Sequence, residues 1–146
     1  MTFKFKLFLT HSEIKVNPEE LLFAETHEWA HIVADDDGKV ATIGISANAV
    51  EALTDLVYMD LPALGTHVTA GNSFGEVESV KATSDLYCPV DGEIIEVNTS
   101  LPDHLEILNS DPYGEGWILK VKLSSEDSVA KLLDHAAYQK QCDEAH

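Results

Sequence analysis

Two Asp-Gly pairs, Asp37-Gly38 and Asp91-Gly92, each fall between runs rich in β-branched residues, and they constrain the fold more than any other local signal. An Asp-Gly step tolerates the positive φ that a tight hairpin demands, so each pair predicts two antiparallel strands and a short turn. The first joins residues 29–33 to residues 39–45, where Val40 and Thr42 alternate with Ala41, Ile43 and Ile45. The second joins residues 87–90 to residues 93–97. Further strands are expected over residues 56–61, stopped by Pro62, and over residues 117–123. Gly65, Gly71 and Gly75 read as turns or bulges, positions where backbone geometry favours glycine. Ser46 is placed to cap a short helix, because Ala47, Val50, Ala52 and Leu53 recur at helical spacing. Near the end, Ser124 with Asp127 reads as a capping pair. The helical tail it opens carries Val129, Leu132 and Leu133 on one face, continued by Ala136, Ala137 and Tyr138. Short strands followed by a helical tail predict a compact, mainly antiparallel β domain.

At 146 residues, 45% of them apolar, the chain suits one domain with a real core. Its expected extent is residues 23–146. Residues 1–22 read as an appendage: a leader remnant, an extra strand or a tag, closing with a helical turn at Asn17-Pro18-Glu19-Glu20. The 26 acidic residues against 9 lysines, with no arginine, give a net charge of -17. A field of that sign repels phosphate backbones, which excludes nucleic acid as a partner class and favours partners with basic surfaces. No apolar run approaches the roughly 20 residues that a membrane-spanning helix needs, so no membrane partner is predicted. Cys88 and Cys142 are the only cysteines, far apart and without a metal-ligand pattern, so no disulfide framework is expected. Cys88 beside Pro89 reads as a small buried or turn residue, Cys142 as an exposed thiol in a polar tail. Trp29 and Trp117 read as packing residues.

His27-Glu28-Trp29-Ala30-His31 matches the H-E-x-x-H pattern of zinc hydrolases. That pattern binds metal only on a helix, where positions i and i+4 share a face. Here it runs into Ile32-Val33 and an Asp-Gly turn, a strand context. There the two histidines stand roughly 13 Å apart at ~3.3 Å per residue, too far for one zinc ion. No metal site is predicted. The Asn-x-Ser match at Asn98 has no accompanying sign of secretion.

Lys81 lies in Glu78-Ser79-Val80-Lys81-Ala82-Thr83-Ser84-Asp85, and the next lysines along the chain are Lys39 and Lys120. An isolated lysine among Glu76, Glu78 and Asp85 suits acylation, which removes its charge and extends its reach, by an enzyme with a basic mouth. The bland alternative is a solvated surface lysine. Composition does not itself predict a turn here, since Val80-Lys81-Ala82 holds no Gly or Pro.

The Lys81 segment and Gly92-Glu93-Ile94-Ile95-Glu96-Val97-Asn98 together resemble the lysine-bearing hairpin of lipoyl carriers, specifically the H-protein family of the glycine cleavage system. The resemblance extends over residues 23–146. It takes in Thr26-His27-Glu28-Trp29, Val40-Ala41-Thr42-Ile43-Gly44-Ile45, Asp60-Leu61-Pro62, Gly75-Glu76-Val77-Glu78-Ser79, Leu108-Asn109-Ser110 and Pro112-Tyr113-Gly114-Glu115-Gly116-Trp117. It implies a lipoyl/biotinyl-type antiparallel β barrel-sandwich hybrid with a short internal helix and a C-terminal helical tail. It implies lipoate in amide linkage on Lys81 and a non-catalytic carrier role. The partners implied are glycine decarboxylase, the aminomethyltransferase, dihydrolipoamide dehydrogenase and a lipoate ligase or lipoyltransferase. Glu28, Asp85 and Thr26, the last in place of the more usual Ser, would line a cleft around the loaded arm, with Glu76 and Glu78 read by the ligase. The compartment implied is the mitochondrial matrix in a eukaryote or the cytoplasm in a bacterium. Rival readings are a biotin carrier, a lipoyl domain of a 2-oxoacid dehydrogenase complex, a lipoate-relay protein and a non-lipoylated binding module. Val80 and Ala82 stand where biotin carriers commonly have methionines, and Val80 where dehydrogenase lipoyl domains usually have Asp.

Overall fold

A computed structural model describes residues 17–144. The chain enters through a 3-10 turn at Pro18–Glu20, capped by the Asn17 side chain. Leu21 is already buried, two residues before the expected start of the domain. Strand β1 (Leu22–Phe23) pairs with β2 (Glu28–Asp35), which pairs with β3 (Gly38–Ile45) around the two-residue turn Asp36-Asp37. The expected hairpin forms, with its turn one residue earlier than the Asp-Gly pair: Gly38, at φ 136°, is the first residue of β3, opposite Asp35. Ser46 caps α1 (Ala47–Leu53), its hydroxyl accepting the Ala49 amide at 3.1 Å. Next come β4 (Leu56–Asp60), β5 (His67–Val68), β6 (Ser73–Ser79), β7 (Thr83–Tyr87) and β8 (Asp91–Val97). A short helix α2 (Ile107–Ser110), β9 (Leu119–Ser125) and the terminal helix α3 (His135–Glu144) complete the order.

Two antiparallel sheets result. One has the order β1-β2-β3-β9-β8-β5 and the other β4-β6-β7. Met59, Val77 and Leu86, one from each strand of the small sheet, are buried in the same cluster as Ile43, Ile94 and Val121 of the large one. Each such side chain contributes about 2 kcal/mol by leaving water. The small sheet is held to the large one mainly by this inner face.

The second Asp-Gly pair behaves differently from expectation. Asp91 and Gly92 are the first residues of β8, paired with Ser125 and Leu123, and residues 88–90 carry the chain from one sheet to the other. The crossing is buried, and it is held by the Cys88 amide on the Asn72 carbonyl at 2.9 Å. Gly92 is needed for close approach: a Cβ there would strike the carbonyl oxygen of Lys122 at a register shift between β8 and β9. Gly75 meets the same condition against the Asp60 carbonyl oxygen.

The C-terminal part also departs from expectation. Phe23 and Leu133 exchange backbone hydrogen bonds at 2.7 and 2.8 Å, which holds Leu133 extended and divides the tail. A 3-10 turn at Val129–Lys131 precedes this bridge. α3 then starts with the Asp134 carboxylate accepting the Ala137 amide at 2.8 Å, so Asp134 does the capping expected of Ser124. Cys142 is buried rather than exposed, because it lies one turn beyond buried Tyr138 on the inward face of α3. Trp29 and Trp117 are buried in a second apolar cluster with Leu21, Cys142, Phe23 and Tyr138, the last two rings stacking at 4.4 Å. The loop over residues 98–116 is closed by the Asn98 side-chain amide, which donates to the Trp117 and Glu115 carbonyls at 2.7 and 3.1 Å.

Candidate functional site

Lys81 sits at the tip of the hairpin between β6 and β7, exposed, and it enters no ion pair among the described residues. The turn forms without Gly or Pro because Ser79 builds it. The Ser79 hydroxyl accepts the amides of Lys81 and Ala82 at 3.3 and 3.1 Å, and the Ser79 backbone amide donates to the Ala82 carbonyl at 2.8 Å. Ser79 is itself 8% exposed, so this clamp is largely shielded from competing water. The Val80 amide donates to the Asp55 carbonyl at 3.0 Å, tying the tip to the start of β4. The lysine is therefore displayed from an ordered turn, and the serine two positions before it is the sequence signal for that turn.

The outward face of the small sheet follows from its register. Glu76 stands between Asp60 and Asp85, and Glu78 between Tyr58 and Thr83. Directly opposed residues in neighbouring strands have Cβ atoms roughly 5 Å apart, so three carboxylates form one row across the sheet. Lys81 is the only lysine between residues 40 and 119.

At the other end of β7 lies Glu28, the second residue of the H-E-x-x-H letters. It is 2% exposed, and both of its oxygens are engaged. Thr26 Oγ1 donates to Oε1, and the backbone amide of Tyr87 donates to Oε2 at 3.0 Å. Burial raises the Glu28 pKa to about 7, the two hydrogen bonds opposing that rise.

The structure joins Thr26 and Glu28 directly and connects Asp85 to them through β7, two residues before Tyr87. Asp85 itself is exposed, with a long contact of 3.4 Å from the Ser73 hydroxyl. Tyr87 is four residues beyond Thr83, roughly 13 Å along β7 at ~3.3 Å per residue, and the Lys81 turn lies past the Thr83 end. Glu28 thus lies toward the end of β7 opposite the Lys81 turn, with Asp85 between the two along the strand.

His27 and His31 do not form a helical metal pair. His31 lies within β2 opposite Thr42, and His27 precedes the strand with φ of 86°. The His27 Nδ1 instead meets the Tyr138 hydroxyl at 2.6 Å, and that hydroxyl also meets Ser46 Oγ at 2.6 Å. This knot fastens α3 to the cap of α1, and sequence reasoning did not anticipate it. Thr26 and Cys88 share the wall of a cavity of about 440 Å³ with Asp91, Ser128 and Lys131. Cys88 is buried there, and its thiol is pushed up to about 11 by desolvation, with the Glu28 and Asp91 charges adding to the effect.

Comparison with known proteins identifies the family. The family model for the glycine cleavage H-protein matches residues 21–145. A glycine cleavage system H protein of Rhodopirellula baltica is 59% identical over 129 residues, covering 88% of this chain and 97% of that protein. One from Rubrobacter xylanophilus is 50% identical over 119 residues, covering 82% of this chain and 91% of its own length. Among solved structures, a glycine cleavage system H protein from Mycobacterium marinum superposes with a TM-score of 0.79 at 42% identity, over 87% of this chain and 99% of that one.

Proposed function

Because the chain belongs to the glycine cleavage H-protein family, we propose that it is the lipoyl carrier of that system, with Lys81 as the residue acylated. The observation that carries the residue assignment is the hairpin tip: an exposed lysine on a serine-built turn, with no other lysine in the small sheet. The site fits an amide-linked arm, since the Lys81 ammonium has open surroundings and no ionic partner among the described residues to give up. When attached, lipoate supplies a dithiolane that can be opened, loaded, reduced and reoxidised.

The chain's own residues display, receive and shield. Ser79 and the Val80–Asp55 bond fix where the arm begins. Glu28, reached past Thr26, holds the protonated aminomethyl cargo by a charge-assisted hydrogen bond. Asp85 adds negative charge midway along the path. A cation arriving beside Glu28 favours its ionised form, so retention of the cargo is expected to weaken as pH falls below about 7.

The functional partners in this reading are glycine decarboxylase, the aminomethyltransferase and dihydrolipoamide dehydrogenase. A lipoate ligase or lipoyltransferase reads Glu76 and Glu78. Turnover belongs to these enzymes, and the chain itself is non-catalytic. No helix among the described residues is long and apolar enough to cross a membrane. The relatives named above are bacterial, which favours the cytoplasm over a mitochondrial matrix.

The test is reconstitution. Intact-mass analysis after treatment with a lipoate ligase, followed by peptide mapping, is expected to find one lipoyl adduct, on Lys81. The modified protein with decarboxylase and glycine is then expected to release carbon dioxide. Absence of an adduct defeats the carrier reading in favour of a binding module. An adduct without decarboxylation favours the lipoate relay.

A further inference from the structure

Three of the large apolar side chains that the fold leaves exposed lie at the Lys81 end of the small sheet: Val57 at 57%, Tyr58 at 49% and Val80 at 68%. Register places them together. Tyr58 is opposite Glu78 on the outward face, Val57 occupies the bulge between Leu56 and Tyr58, and Leu56 is opposite Ser79, the residue before Val80. The Val80–Asp55 hydrogen bond draws the tip against the start of β4. One strand-step away, Asp60, Glu76 and Asp85 make the carboxylate row. An apolar cluster of this kind next to a modification site, with charge of one sign beside it, has the anatomy of an interface core and its rim.

We infer that the Val57–Tyr58–Val80 cluster seats the enzyme that acylates Lys81. That partner presents an apolar pocket bordered by basic residues. The inference rests on the carrier reading above and deepens it by naming the contact. Charge selects the occupant. A second copy of this chain would bring another carboxylate row and a net charge of -17 against the first, whereas a basic enzyme surface is attracted to it. The roles also separate: the carboxylates steer approach and lose influence with salt, while the apolar cluster sets the stability of the complex. Acylation removes the one lysine charge on this face among the described residues, leaving the carboxylate row unopposed there.

The experiment is steady-state lipoylation of the full chain by a lipoate ligase supplied with lipoate and ATP, followed by intact mass. The triple variant Val57→Ser, Tyr58→Ser, Val80→Ser is expected to raise KM about tenfold, the scale of losing an interface anchor, with kcat little changed. Val33→Ser and Ile95→Ser remove exposed apolar residues elsewhere and are expected to leave KM unchanged. Added salt is expected to lower kcat/KM for the parent and the triple variant in the same proportion, because the carboxylates remain. Thermal melting checks the fold of each variant, and the single substitutions replace the triple one if it unfolds. An unchanged KM in folded variants, or an equal rise in the Val33 and Ile95 controls, overturns the inference while leaving the carrier reading intact. Failure of the parent chain itself to accept lipoate overturns both.

Discussion

The two ends of strand β7 are built on opposite principles. At the Lys81 end the backbone is fixed by the Ser79 hydroxyl while the functional side chain points into open surroundings. At the Tyr87 end the functional side chain is itself fixed, because Glu28 is buried and held through both oxygens. On the proposed carrier reading, one end offers an amine to partner enzymes and the other a single sheltered acceptor, so a group anchored at the first and received at the second meets ordered protein at each end. The comparison teaches that display needs a rigid backbone, whereas reception needs a rigid side chain.

The sharpest break is Lys81→Gln. It removes the acylated nitrogen and is expected to abolish lipoylation entirely by intact mass, with the melting temperature unchanged, since the side chain is exposed and unpaired among the described residues.

Next is Glu28→Ala, which leaves Lys81 modifiable but shortens the lifetime of the aminomethyl cargo. A lost charge-assisted hydrogen bond of about 1.5–3 kcal/mol corresponds to roughly 10- to 100-fold faster loss. Quenched time points read by mass spectrometry measure it, and an unchanged lifetime removes Glu28 from the receiving role.

Glu28 also has a signature in stability. Its folded pKa, about 7, lies above the 4.5 of a free carboxylate. The folded state therefore binds the extra proton between these values. Its contribution is full below about 4.5 and is lost as pH rises through about 7. The loss amounts to about 3.5 kcal/mol at most, taking ~1.4 kcal/mol per unit over the rise from 4.5 to about 7. Urea titrations across that window are expected to show parent stability falling relative to Glu28→Gln, and parallel profiles would show that the group titrates normally.

The smallest effect belongs to Ser79→Ala. Losing the hydroxyl that accepts two turn amides is expected to cost about 1 kcal/mol in stability and to slow lipoylation several-fold, with Ser79→Thr recovering part of the rate. If Ser79→Ala is modified at the parent rate, the backbone bonds of the turn, Ser79 to Ala82 and Val80 to Asp55, order it without the hydroxyl.

What the sequence made legible follows the range of the interactions. The β2–β3 hairpin and the Ser46 cap depend on neighbours a few residues apart and were readable. The burial of Glu28 was not, because the amide that satisfies it comes from Tyr87 on a different sheet, 59 positions along the chain. Asp91-Gly92 carried a turn-like dipeptide, yet its glycine serves close backbone approach, a need that becomes visible only when β9 is in place. Two local signals were available but unread: Ser79 as the builder of the tip, and the four-residue spacing of Tyr138 and Cys142 that buries the thiol.

Both cysteines are enclosed, Cys88 at 1% exposure with its thiol held near 11 and Cys142 at 6% exposure. Burial shields both thiols and disfavours the Cys88 thiolate, so on the carrier reading polypeptide sulfur is a poor competitor in exchange with a tethered dithiol. On that reading, a maleimide offered to the reduced, folded protein is expected to label the tethered dithiol ahead of the two enclosed cysteines, so the redox state of the arm can be followed with both native cysteines in place.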